Sequence, residues 1–250
     1  MDVTVKLKQV QERIRAAASR ARRDPGDITL IAVSKYAAME QIQQLITAGQ
    51  RHFGESRVQN LQTRHEEVRE WLTETMADGA EINAQLKWHM IGHLQRNKAA
   101  GAIAASELIH SVDSLRLAEH LNDLGGRREK AILILMEVNT SGEASKHGVP
   151  IPAAVHMAEQ FETLAHLQVV GLMTMARQSA NAEEARQCFI TLREIFNELR
   201  FRRICGPHFK HLSMGMSGDF EIAIEEGSTL VRIGSAIFGA HTEPAMESGT

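Results

Sequence analysis

The chain's 250 residues carry 28 Lys and Arg against 31 Asp and Glu, a net charge of −3, so no global basic bias points to nucleic acid or an anionic membrane as a partner. The two cysteines, Cys188 and Cys205, lie apart with no CxxC spacing, which argues against a disulfide framework or thiolate zinc site and fits a reducing cytoplasm. No stretch approaches ~18 consecutive apolar residues, which argues against a membrane-spanning helix.

Residues 1–24 space Val3, Leu7, Val10 and Ile14 at helical intervals among charged residues, with no apolar segment of the kind a secretory signal needs. Asp24-Pro25-Gly26-Asp27 is a turn cluster leading into a first strand at about 28–34. Met39, Ile42, Leu45 and Ile46 predict a helix ending at Gly49, and Arg51-His52-Phe53 a second strand that breaks at Gly54-Glu55. A long polar helix to residues 71–76 precedes a strand at 86–91, an alanine-rich helix at 97–105 and a strand at 108–112. Asp113 or Ser114 caps a helix to Gly125-Gly126. The strongest strand signal, 131–138, opens into a polar loop, 139–148. Then come a helix from near Pro152 to 161, a strand at 167–172, a helix at 182–199, and a short strand at 209–212 with its exit loop 213–218. A helix at 219–226 leads to the last strand, 230–233, and its exit Gly234-Ser235.

Eight short apolar runs alternating with helical patterns predict an α/β fold, a TIM-type (β/α)8 barrel with an extra N-terminal helix, expected as one domain over residues 1–250. A doubly wound sheet would want a glycine-rich first crossover, and neither GxGxxG nor GxxxxGK[ST] occurs.

The chemistry centres on Leu30 to Tyr36, an apolar strand that stops at one amine, Lys35. A lysine set against a core is a candidate nucleophile, because desolvation leaves more of it neutral and able to form a Schiff base with an aldehyde. The plainer alternative is a lysine that reaches out of the strand end into water. Ser213 to Gly218 and Gly234-Ser235 supply small residues, hydroxyls and free N–H groups after the last two strands, the materials of an anion nest or of ordinary turns. Arg232 is expected to face the same interior, opposite either an acidic side chain or an unprotonated ring nitrogen, since guanidinium only donates hydrogen bonds. Amine, anion nest and donor together suit pyridoxal 5'-phosphate (PLP).

Ala-Val-Ser-Lys-Tyr (32–36), Phe-Gly-Glu-Ser (53–56), Trp-His-Met-Ile-Gly-His-Leu-Gln-Arg-Asn-Lys (88–98) and Ser-Val-Asp-Ser-Leu (111–115) carry a specific resemblance. Gly-Glu-Ala-Ser-Lys-His-Gly (142–148), Gly-Leu-Met-Thr-Met-Ala (171–176), Leu-Ser-Met-Gly-Met-Ser (212–217) and Val-Arg-Ile-Gly-Ser-Ala-Ile-Phe-Gly (231–239) extend it. In these segments the chain resembles the pyridoxal phosphate homeostasis protein family, relatives of the alanine racemase barrel. The resemblance implies a Schiff base at Lys35, phosphate contacts from Ser217, Gly234 and Ser235, and Arg232 opposite the pyridine nitrogen. It implies a carrier that binds and buffers PLP without established turnover; transient contact with PLP-dependent apoenzymes is expected, the cysteine usage fits the cytoplasm, and the lack of a long apolar stripe outside the barrel pattern leans toward a monomer. Ser56 stands where the family usually has asparagine, and Arg57 and Asn60 are also unusual.

The alternative is a racemase-like enzyme, which needs a second acid/base opposite the lysine. The single tyrosine, Tyr36, adjoins Lys35 itself, leaving His89, His93 or Lys146 for that part. Lys146 could also receive the aldehyde during release. His89 and His93 share an i, i+4 spacing, but Gly92 and the preceding apolar run put them at a strand exit and no Glu follows His89, so no metal is expected. Ser217 is not in a nucleophile elbow, because the second glycine of Gly-Met-Ser-Gly comes one residue early.

Overall fold

The computed structural model describes residues 2–143, 146–177, 179 and 181–239. Its strands are β1 (Thr29–Val33), β2 (His52–Glu55), β3 (Lys87–Met90), β4 (Leu108–Val112), β5 (Ile132–Asn139), β6 (Val149–Pro150), β7 (Leu167–Met173), β8 (His211–Ser213) and β9 (Leu230–Ile233). They pair in parallel in the order β4-β3-β2-β1-β9-β8-β7-β5, and β4 pairs again with β5, so eight strands close a barrel. The two-residue β6 only flanks β5. No helix among the described residues is long and apolar enough to cross a membrane.

The helices are α1 (Val3–Arg20), α2 (Met39–Thr47), α3 (Val58–Thr75), α4 (Gly79–Gln85), α5 (Ala99–Ala105), α6 (Leu115–Arg127), α7 (Ala154–Glu162), α8 (Arg186–Phe201), α9 (Phe220–Glu225) and α10 (Ser235–Phe238). α1 is the expected extra helix. Asp2 caps it through Thr4 N–H (2.9 Å), and its buried stripe of Val3, Leu7, Val10, Ile14 and Ala17 packs against α2, α9 and α10.

Two apolar layers stabilise the barrel. Outward-facing strand residues such as Leu30, Ala32, Phe53 and Val231 meet the helices, while Ile31, Leu108, Leu135, Val170, Met173 and Leu230 fill the lumen. All eight expected barrel strands are present, with some boundaries moved. β2 runs through Gly54-Glu55 instead of breaking there: a Cβ on Gly54 would stand 2.9 Å from Ile31 Cγ2, so this glycine makes room for a lumen neighbour. α4 was not anticipated, since only Ile82 anchors it firmly in the core and one residue gives no periodicity. α6 passes through Gly125-Gly126 to Arg127, and the chain coils once more after β9 into α10.

Candidate functional site

Strand alternation decides which side chains reach the lumen. Ile31 points inward on β1, so Val33 and Lys35 share its parity at the carboxyl end of the barrel. β1 stops at Val33, and Ala37 N–H closes a turn on Ser34 O (2.9 Å). Lys35 is therefore exposed at the mouth, its Nζ 4.8 Å from the centroid of the Tyr36 ring. The desolvation expected of a lysine set against the core is not supplied by burial, because the strand ends two residues too early.

β9 lies beside β1 with Ala32 opposite Ile233, so Gly234 follows next to Val33. Arg232 has the inward parity of Leu230 and is buried. Its NH1 donates to Ser213 Oγ (2.5 Å) and its NH2 to the Thr174 carbonyl (2.9 Å). Burial pushes its pKa down to about 10, while the carboxylates of Glu137 and Asp219 act to raise it. Neither acid forms an ion pair with it, so the salt bridge considered for Arg232 is absent among the described residues. Its Nε–H makes no hydrogen bond among them. Ser217 Oγ accepts from Ala236 N–H (3.2 Å), tying the loop after β8 to the start of α10, while Asp219 Oδ1 accepts from Met216 N–H (2.6 Å). Ser235 opens α10, where an N–H has no intrahelical partner. Lys35, Ser217, Arg232, Gly234 and Ser235 thus converge on one end of the barrel, at the exits of the adjacent strands β1, β9 and β8.

Beneath the mouth runs a polar chain that the sequence did not disclose. His52 Nδ1 meets His89 Nε2 (3.0 Å), His89 Nδ1 meets His110 Nε2 (3.0 Å), and His110 Nδ1 meets Ser213 Oγ (2.8 Å). Arg232 can only donate, so Ser213 Oγ accepts from it and keeps its own proton to offer to His110 Nδ1. When Ser213 donates to His110 Nδ1 the choice propagates: His110, His89 and His52 then each carry their proton on Nε2 and form one directed chain across the lumen. Burial supports the neutral state, lowering the pKa of His89 to about 3 and holding His110 well below its ordinary value. Glu137, also buried and inward-facing, has its pKa raised to about 7, by burial first and then by Asp113. Behind the mouth, Ser34 Oγ donates to Glu55 Oε1 (2.6 Å). Burial raises the Glu55 pKa, and Glu55 Oε2 is the one buried side-chain polar atom with no hydrogen bond among the described residues. Strand alternation was the available signal for His89 and Glu137.

The expected alternative bases are occupied elsewhere. His89 lies within the histidine chain and His93 sits 3.2 Å from Asp113. Lys146 pairs with Glu143 (2.5 Å) and donates to the Ala176 carbonyl (3.0 Å). Ser56 is half-buried at the exit of β2.

The barrel and its decorated mouth define a class: the chain belongs to the family described as alanine racemase, N-terminal domain, whose model matches residues 5–242. Within that class its relatives are pyridoxal phosphate homeostasis proteins. That of Aquifex aeolicus is 36% identical over 96% of this chain and 98% of its own length. That of Escherichia coli K12 is 38% identical over 96% and 97%. PipY of Synechococcus elongatus, solved with PLP bound, matches with a TM-score of 0.75 and 33% identity over 92% of this chain and 100% of that one.

Proposed function

We propose that this protein is a cytoplasmic carrier and buffer of PLP, acting in vitamin B6 homeostasis as a single-domain monomer that meets PLP-dependent apoenzymes transiently. One observation carries the reading: an amine, a buried donor-only guanidinium and two small-residue loops lie at the same end of three adjacent strands. The donor set fits the cofactor. Ser217 and the backbone of Gly234 and Ser235 hold the phosphate, Arg232 donates to the ring nitrogen, and Lys35 Nζ condenses with the aldehyde as a Schiff base, releasing water.

PLP supplies an electrophilic aldehyde conjugated to an electron-withdrawing ring. A guanidinium facing that ring keeps its nitrogen unprotonated, so it weakens the electron sink that racemisation needs. Ser213 and the Thr174 carbonyl hold Arg232 in this orientation. The other engagements of His89, His93 and Lys146 further support a carrier over the racemase-like alternative.

Borohydride reduction of the PLP-loaded protein followed by peptide mass mapping tests the assignment. The phosphopyridoxyl mass is expected on the peptide containing Lys35, and Lys35→Ala is expected to lose both the adduct and the imine absorbance. An adduct confined to another lysine overturns the role of Lys35, and saturable racemisation of a free amino acid overturns the carrier reading.

A further inference from the structure

Three strand exits at the barrel mouth bring together His93, after β3, Asp113, after β4, and His147, in the loop after β5. We infer that these three side chains form a binding site for a divalent first-row transition cation, with zinc as its type. Each offers one donor atom, and the donors all lie within 4.8 Å of one another. His93 Nδ1 is 3.2 Å and His147 Nδ1 3.7 Å from the same carboxylate oxygen, Asp113 Oδ2. Two ligands sharing a tetrahedral zinc at their usual bond lengths stand roughly 3.3 Å apart, so small side-chain rotations close the set.

The two imidazoles also lie side by side at the carboxylate. The two rings are stacked, with centroids 3.7 Å apart and planes within 10°, and each has its Nδ1 within 3.7 Å of one carboxylate oxygen, so one ring turns out of the stack to bring both lone pairs onto a shared ion. Neither nitrogen makes a directed hydrogen bond to Asp113 among the described residues, so the grouping is not explained as a hydrogen-bonded triad. No Lys or Arg among them forms an ion pair with Asp113. Two imidazoles and one carboxylate suit zinc, nickel, cobalt or iron, whereas magnesium and calcium favour all-oxygen sites. Three protein ligands leave at least one coordination position open to water or a small anion. Occupancy would also pin the loop after β5, which carries Lys146 beside His147, to the tips of β3 and β4.

The test uses the untagged full-length chain, treated with chelator and titrated with zinc chloride by calorimetry. Cobalt(II) serves as a visible-absorption probe of coordination. The expected result is a single high-affinity equivalent and the intense ligand-field bands of a low-coordinate cobalt ion. Asp113→Asn and His147→Ala are each expected to weaken zinc at least ~10-fold, while His156→Ala, at an exposed position of α7, leaves the isotherm unchanged. Wild-type and Asp113→Asn isotherms that superimpose, or the pale spectrum of fully hydrated cobalt, overturn the site. Circular dichroism of each variant separates lost ligation from lost fold.

Discussion

Ser213 Oγ is the atom at which a buried guanidinium and a chain of neutral imidazoles meet. Removing it strands two buried groups at once, because Arg232 NH1 loses its acceptor and His110 Nδ1 loses its partner. A buried polar group left unpaired costs ~1–3 kcal/mol, and more when charged, so Ser213→Ala is expected to lose about 2–4 kcal/mol of stability. Urea unfolding checks this, the midpoint falling while the slope stays unchanged. A loss below ~0.5 kcal/mol would mean that the two groups find other partners. The inward direction of Arg232 was legible from the alternation of Leu230-Val231-Arg232-Ile233. Its partners were not, because His110 and Ser213 are 103 positions apart and only barrel closure brings them together. Lys35 was legible as the residue at the strand exit, whereas its exposure depended on where β1 stops.

At the scale of elements, the barrel strands were readable because sheet residues buried on both faces form continuous apolar runs. The reading failed where a side chain's absence was the feature, as at Gly54, or where a helix is too short to show a period, as in α4 and α10. The N-terminal helix was visible from its stripe, but its attachment lies partly beyond it. Arg23 donates through NH1 to the carbonyls of Ile224 and Ser228, both at 2.8 Å. It thereby satisfies the last turn of α9, where a cation also meets the negative end of the helix. Arg20 makes a more exposed pair with Glu225 (2.9 Å), its side chain 53% exposed. The two arginines should therefore differ in worth. Arg23→Ala is expected to cost about 1.5–3 kcal/mol, as befits hydrogen bonds from a charged donor, and Arg20→Ala less than ~1 kcal/mol, as for a surface ion pair. Equal losses in thermal or urea unfolding would overturn the view that carbonyl capping, more than charge pairing, fastens α1 to the barrel.

For the molecule as a whole, the buried and half-buried histidines, the three of the chain together with His211, make the fold sensitive to acid. His89 and His211 have folded pKa values near 3 and 4, and burial also lowers those of His110 and His52, against an ordinary 6.5. Below 6.5 the unfolded chain takes up protons that the folded one refuses, so their contribution is complete above that pH and is lost as pH falls through the window toward 3–4. Glu137 acts with the opposite sign: raised from 4.5 to about 7, it holds its proton in the fold, so its contribution is present below 4.5 and lost as pH rises to 7. Burial also raises the pKa values of Glu55 and Asp219, which act in the same sense as Glu137, yet the four imidazoles, each worth up to ~1.4 kcal/mol per pH unit, prevail. Stability is expected to fall by on the order of 3 kcal/mol between pH 7 and pH 5, as measured by urea unfolding at matched ionic strength. His89→Gln should be less stable at pH 7 yet lose less on acidification, because one of the refusing sites is gone. A stability that stays flat across this interval in the wild type, with an unchanged pH dependence in His89→Gln, would show that His89 is not held neutral in the fold. The directed chain from Arg232 through Ser213 could not then exist, since an imidazolium Nδ1 donates and cannot accept the Nε2 proton of His110.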